Sequence, residues 1–264
     1  MIRVKTYWRV WQITAQNALQ MAFVNRWSNS LFLLGKFIRL VMSLVFLYLL
    51  KEREIAVGGY TANQVIVFLL TYQLVDLTAQ IFYRGVYEFG RLIQRGEFDF
   101  LLARPINPLF RALTGSPDFN DVLFLVPTAI VSTIIIRGLE LAITPWSVML
   151  YLLLLINSFV IATSLHILIL TFGVITSEVD NLIWTYRDVT KLGQFPVSMY
   201  VEPVRTALFF VIPIGLMVTV PSQVLFGEEP SVSVIGSTLF GMFFFWVSLK
   251  LWKQALKKYS SASS

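Results

Sequence analysis

The chain has no cysteine and a single histidine, His166. Disulfides, thiol catalysis and zinc–thiolate sites are thereby excluded. A lone histidine with no clustered carboxylates builds no metal centre, and any serine nucleophile would lack a paired base. No G-x-x-x-x-G-K-[S/T] loop is present to cradle nucleotide phosphates, so ATP hydrolysis by that route is excluded. The first residues, MIRVKTYWRVWQITAQ, interleave charges with aromatics and lack the unbroken apolar core and cleavage site of a signal peptide. Charge itself is scarce: 14% of the 264 residues are charged, against about a quarter in soluble domains.

Apolar residues fill the space. They make up 56% of the chain, the mean hydropathy is +0.71, and they are gathered in long runs. The expected fold is therefore an all-α polytopic membrane protein of one transmembrane domain, residues 1–264. Six spans can be drawn: about 27–50, 61–83, 117–136, 145–176, one starting near Pro203, and 232–252. Pro127 should kink the third. Pro213, Gly215 and Pro221 weaken the fifth as a straight helix, so a broken or re-entrant segment is expected near 213–227.

Basic residues set the orientation. Arg3, Lys5, Arg9 and Arg26 precede the first span. Arg84, Arg91, Arg95, Arg104 and Arg111 follow the second, Arg187, Lys191 and Arg205 follow the fourth, and Lys250, Lys253, Lys257 and Lys258 end the chain. The opposite loops hold Lys51, Arg53 and Arg137. The positive-inside rule puts both termini in the cytoplasm. The same rule explains the net charge of +6 without nucleic acid.

Two amphipathic stretches belong to the membrane surface. In residues 1–26, Val4, Trp8, Trp11 and Ala15 share one helical stripe, and Lys5, Arg9 and Gln12 the other. This pattern predicts an interfacial helix. Residues 178–192 repeat it, as a second cytoplasmic surface helix or an extension of the fourth span. The loop 84–111 reads as helix, turn and helix: Val86, Phe89 and Ile93 share a face, Glu88 and Arg91 are spaced for an ion pair, Gly96 stops the first helix, and two acids open the next. Arg104 before Pro105 ends it. Such a loop either lies on headgroups or docks a cytoplasmic partner.

Polar groups inside the spans are costly. Lys36, Arg39, Asp76, Asn157 and His166 are the candidates for a substrate path or headgroup contact. The plain alternatives are snorkelling for Lys36 and Arg39, with Asp76 neutralising one of them, and helix packing for Asn157 and His166.

The string Gly96-Glu97-Phe98-Asp99-Phe100-Leu101-Leu102-Ala103-Arg104-Pro105-Ile106-Asn107-Pro108-Leu109-Phe110 resembles the signature of ABC-2 type permeases, in the bacterial subgroup of about 260 residues. Phe195-Pro196-Val197-Ser198-Met199-Tyr200, continuing through Pro213 to Pro221, is similar to that subgroup's fifth-span region. Ala103 stands where leucine is frequent. The resemblance implies a non-catalytic permease subunit of an ATP-driven exporter in the bacterial plasma membrane. It implies a second permease, identical or related, beside this chain and two ABC ATPase subunits beneath it. ATP and Mg would be held by those subunits, with no cofactor on this chain. It also implies that residues 84–111 are the coupling loop, with Glu88, Arg91, Arg95, Gly96, Glu97 and Asp99 contacting the ATPase. Amphipathic drugs, lipids and glycans remain open as substrates. A self-contained secondary transporter or channel is the competing reading, and it would call for internal repeats and charge relays. A membrane scaffold is a third.

Overall fold

The computed structural model describes residues 2–54, 56–176, 179–228 and 231–259. Among these, regular structure is helical apart from an isolated bridge between Val57 and Tyr60. Five helices are long and apolar enough to cross a membrane, and a sixth candidate is a pair of short helices bent by 70°. The chain is thus an all-α polytopic membrane protein.

The helix α1 (Ile2–Val24) lies along the end of the molecule that carries residues 84–111, called here the basic end. Tyr7 packs edge-on against Phe110 at 4.9 Å, and Arg111 donates to Thr14 Oγ1 at 2.7 Å. Trp8 and Val4 face outward. After Asn25 the chain turns into the first span, α2 (Arg26–Glu52), which buries only Leu47 and Leu50, at its far end. The second, α3 (Ala62–Tyr83), opens on a capping box from Thr61 and Gln64 and is buried along most of its length. The short helices α4 (Val86–Gln94), α5 (Glu97–Leu102) and α6 (Pro108–Thr114) follow at the basic end. The third span, α7 (Phe119–Arg137), stays a continuous helix through Pro127.

The fourth span, α8 (Pro145–Thr176), is the central post. At about 1.5 Å per residue it is longer than the ~30 Å hydrocarbon layer. It packs most extensively against the last span, α12 (Ser231–Lys258). The approach is close because Gly241 faces Asn157: a Cβ on Gly241 would collide with the Asn157 amide, which donates to Ser237 O at 3.0 Å.

The fifth crossing differs from the one read in the sequence. The segment α9 (Val179–Thr190) starts at the basic end, where Asp180 lies against Gly90 and Val179 against Gly173. It climbs past α3 and α8 with Val179, Ile183, Tyr186 and Thr190 buried. The climb continues through 3-10 turns at Lys191–Gln194 and Val197–Met199. At the opposite end Ser198 Oγ donates to Gly58 O at 2.9 Å. Residues 179–198 therefore traverse the molecule. They are neither a surface helix nor a prolongation of α8.

The bent pair then enters and leaves at one end. The first limb is α10 (Val204–Phe210). The chain turns near Pro213, passes through a π-helical stretch at Gly215–Thr219, and returns as α11 (Val220–Leu225). Its return end reaches Tyr60, to whose hydroxyl Gln223 donates at 2.6 Å, and Glu228 meets Gln64. Both ends thus sit beside residues 58–64. The break expected from Pro213 and Gly215 is present, but it turns a re-entrant hairpin rather than interrupting a fifth span from Pro203. Ser158 of α8 donates to Met217 O at 2.7 Å, so protein shields the irregular backbone, as the lipid interior requires. Three basic residues move with this correction: Arg205 joins Lys51, Arg53 and Arg137 at the opposite end, and Arg187 and Lys191 lie within the crossing. Of the acidic turn Gly227–Pro230, residues 229 and 230 lie outside the described residues, as does 178.

Candidate functional site

Two features stand out, one inside the bundle and one on its basic end. The first is a cavity of about 350 Å³ between α2, α3 and α7, reached by Arg187 of α9. Lys36, Arg39 and Asp76, three of the residues singled out in the sequence, line it together. Asp76 meets Arg39 at 3.3 Å, the neutralisation expected for it. Lys36 is held instead by Asp121 at 2.6 Å and Asp118 at 3.3 Å, so it does not simply snorkel. Arg84 approaches Asp118 at 3.9 Å and stacks over the Tyr87 ring at 4.9 Å. Arg187 donates to Gln80 Oε1 at 3.4 Å.

Four cations and three carboxylates thus surround a space walled also by Leu31, Phe32, Leu40, Leu77 and Phe124 and by Ser43, Gln73 and Thr128. Lys36, Arg39 and Arg84 have carboxylate partners, and Arg187 rests on Gln80 and Tyr87; a charge as buried as Asp121 persists in a bundle only when paired. The arrangement has one chemical consequence: an entering anion can exchange with a carboxylate at a cation it already finds positioned. The sequence hid Asp118 and Asp121 because they read as acids in the first turn of a helix, and Asp118 does cap Asn120 N at 2.9 Å. Nothing local ties them to Lys36, more than 80 positions earlier.

Asn157 and His166 lie elsewhere. Asn157 fastens α8 to α12 through Ser237. His166 is fully buried. Its Nδ1 lies 2.7 Å from Ala162 O, so Nδ1 carries the proton and donates. Its ring sits 4.8 Å from those of both Tyr83 and Tyr186. The structure uses both residues as packing contacts between helices.

The second feature is the α4–α5 element. Gly96 adopts φ +68°, the left-handed turn that glycine accommodates without cost. Phe89 and Phe98 are fully buried and meet edge-to-face at 5.0 Å, with Trp252 at 6.3 Å from both. Burying each ring contributes roughly 1.5–3 kcal/mol, so the element is pinned to α12 and cannot flop independently. Its outer surface carries the charges. Arg91 pairs with Glu88 at 3.5 Å, Arg95 with Glu97 at 3.9 Å, and the four side chains are 47–67% exposed. Pairs this exposed add little to stability, although Glu88 also accepts from Ser116 Oγ at 2.7 Å.

Phe100 stands out among these charges at 68% exposure, with Leu102 beside it. Sequence reading missed it because an aromatic in a short helix reads as core. The signal was available: Phe98 and Phe100 are two apart, so one short helix cannot bury both on one face.

No curated protein matches the chain. A family model described as ABC-2 family transporter protein matches residues 37–263.

Proposed function

The chain belongs to the ABC-2 family of transporter proteins, whose members form the membrane domain of ABC transporters and generally pair with ABC ATPase subunits; from that premise we propose that it is the non-catalytic permease of an ATP-driven exporter. It resides in a bacterial plasma membrane with its basic end and both termini in the cytoplasm. Two ATPase subunits bind beneath that end and hold the ATP and Mg. Glu88, Arg91, Arg95, Glu97 and Asp99, presented around the Gly96 turn, form the contact, and Phe100 supplies its apolar centre. Closure of the ATPases on nucleotide pushes α4–α5, and the Phe89–Phe98–Trp252 cluster passes the displacement to α12.

The observation that carries this reading is the pairing of a rigidly seated element with an outward face of exposed charge and one exposed aromatic. A loop that only rested on headgroups would bury Phe100 in them and would not set the exposed acids Glu88 and Glu97 beside it. Charged rim and aromatic centre are the anatomy of a protein interface.

A second permease covers the exposed sides of α2 and α9. Lys191 pairs with Asp188 at 2.7 Å on α9 and the following turn, and both side chains are more than half exposed. An ion pair is not left facing lipid, so another subunit lies over it. The cavity around Lys36 and Arg39 receives the polar head of an amphipathic substrate from the inner leaflet, with Asp76 and Asp121 as the carboxylates it displaces.

Reconstitution tests the reading. Proteoliposomes holding this chain with its cognate ABC ATPase should move a lipid-like or drug substrate only when ATP is supplied, and neither subunit alone should do so. Transport by the purified chain alone, driven by an ion gradient, would instead establish the secondary-transporter reading.

A further inference from the structure

At the basic end a second cavity, of about 590 Å³, opens between α1, the turn Arg104–Pro108 and the last turns of α12. Arg104 and Lys253 stand at its lip, and Trp252, Leu249, Leu256 and Ile106 form its apolar walls. Among the described residues no carboxylate lies within 4 Å of Arg104, Lys253 or the adjoining Arg111. Arg84, Arg91 and Arg95 at the same end each have an acidic neighbour, while the exposed Lys5, Arg9 and Lys257, like Arg104, Lys253 and Arg111, have none among the described residues. Arg111 is set apart by its burial. It is half-buried, its named partner is the neutral Thr14 hydroxyl, and burial together with the like charge of Arg104 presses its guanidinium below its ordinary value. Arg104 and Lys253 are exposed at the cavity, where an anion can reach both and would also offset the like charge felt by the half-buried Arg111.

We propose that this cavity binds the headgroup of an anionic phospholipid, with Arg104 and Lys253 on its phosphate. The walls select a lipid over a soluble anion, since acyl carbons fit against Leu249, Leu256 and Ile106. Position agrees: α1 forms one side, and its outward Trp8 stacks on Trp11 at 5.2 Å, as an aromatic pair does at the headgroup level. Basic pockets between helices at a cytoplasmic face attract acidic headgroups by the same physics. The bound lipid acts as a bracket. It ties α1 and α12 to the Arg104–Pro108 segment, where Asn107 N already donates to Tyr7 OH at 3.1 Å. The site depends on the membrane assignment and not on the ATPase contact, so it is tested on the permease alone.

The probe is phosphatidylglycerol, titrated into the detergent-purified full chain and followed by native mass spectrometry and thermal unfolding. Phosphatidylcholine and glycerol 3-phosphate are the comparison arms. The wild type should retain one phosphatidylglycerol at least about tenfold more tightly than phosphatidylcholine and unfold at higher temperature with it. Arg104→Gln with Lys253→Gln should remove both effects. Arg104→Lys with Lys253→Arg should preserve them, and a Lys51→Gln control, at the opposite end, should leave them unchanged. Equal retention by the Gln variant, or equal binding of the two lipids, would overturn the proposal. So would full stabilisation by glycerol 3-phosphate alone, which would mark the site as one for a soluble anion. If phosphatidylglycerol has no effect and the Gln variant instead loses the ATPase, the anion is a carboxylate of that partner and the lipid assignment falls.

Discussion

A permease carrying Gly96→Pro with Glu97→Arg should reach the membrane, fail to retain its ATPase and lose ATP-driven transport. Gly96 sits at φ +68°, and proline is locked near −65°. Proline also removes the N–H that Gly96 gives to Ile93 O at 3.0 Å. The turn must therefore open, and the outer face of α5 rotates away from that of α4. The second change compounds the first. Glu97 lies in the first turn of α5 beside Arg95, where a negative charge is favoured by the helix dipole. An arginine there faces Arg95 as a like charge and reverses the sign offered to the partner. A combined loss of about 3 kcal/mol in docking weakens the complex more than about 100-fold.

The bundle survives because its spans pack on one another independently of this turn, α8 against α12 and α3 against α7. Gly96→Ala should fall between. No atom obstructs its Cβ, so the cost is the left-handed backbone alone, about 1–2 kcal/mol. Co-purification with the tagged ATPase reads out the series. Full recovery of ATPase with the double variant, at unchanged transport, would remove the coupling role from this turn.

The second large effect concerns sidedness. A single cysteine placed at Arg205 should react with a membrane-impermeant maleimide from the same side as one at Arg53, and from the side opposite to one at Arg95. The chain has no native cysteine, so each variant carries one reactive thiol. The expectation follows from reach. Ser198 lies 2.9 Å from Gly58, and Gln223 lies 2.6 Å from Tyr60. A span running from Pro203 to Gly227 would separate those two ends by the ~30 Å of the hydrocarbon layer. They meet around the same short loop, so α10 and α11 form a hairpin. Labelling of position 205 from the side of position 95 would restore the straight fifth span and displace α9 from the bundle.

That correction shows what was legible in the sequence and what was not. The five continuous spans follow from apolar runs, and the α4–Gly96–α5 turn follows from local stop and start signals. The crossing at 179–198 could not be read that way. It is assembled from a helix with Asp180, Asn181, Arg187 and Asp188 in it, two 3-10 turns and Pro196, and it has a single apolar stripe but no unbroken apolar run. It crosses because α3 and α8 bury Ile183 and Tyr186, and because Gln80 of α3 and Tyr87 of α4 receive Arg187. A polar crossing is specified by its neighbours, and no local pattern announces neighbours.

The cavity divides in the same manner. Lys36 and Arg39 were visible because charge inside an apolar run is conspicuous. Their setting was not, since Asp118 and Asp121 come from a helix far along the chain. His166 drew notice as the lone ionisable ring of the fourth span, and its two tyrosine neighbours show a packing role instead.

The account's central claim is that an ATPase bears on the α4–α5 element around Phe100. Site-specific photocrosslinking tests it most directly. A photoreactive residue at Phe100, in membranes containing both subunits, should capture the ATPase, and ATP should change the yield. The same residue at Phe243, exposed midway along the spanning helix α12, should capture none. Failure to capture at Phe100, with the complex intact and transporting, would contradict the account.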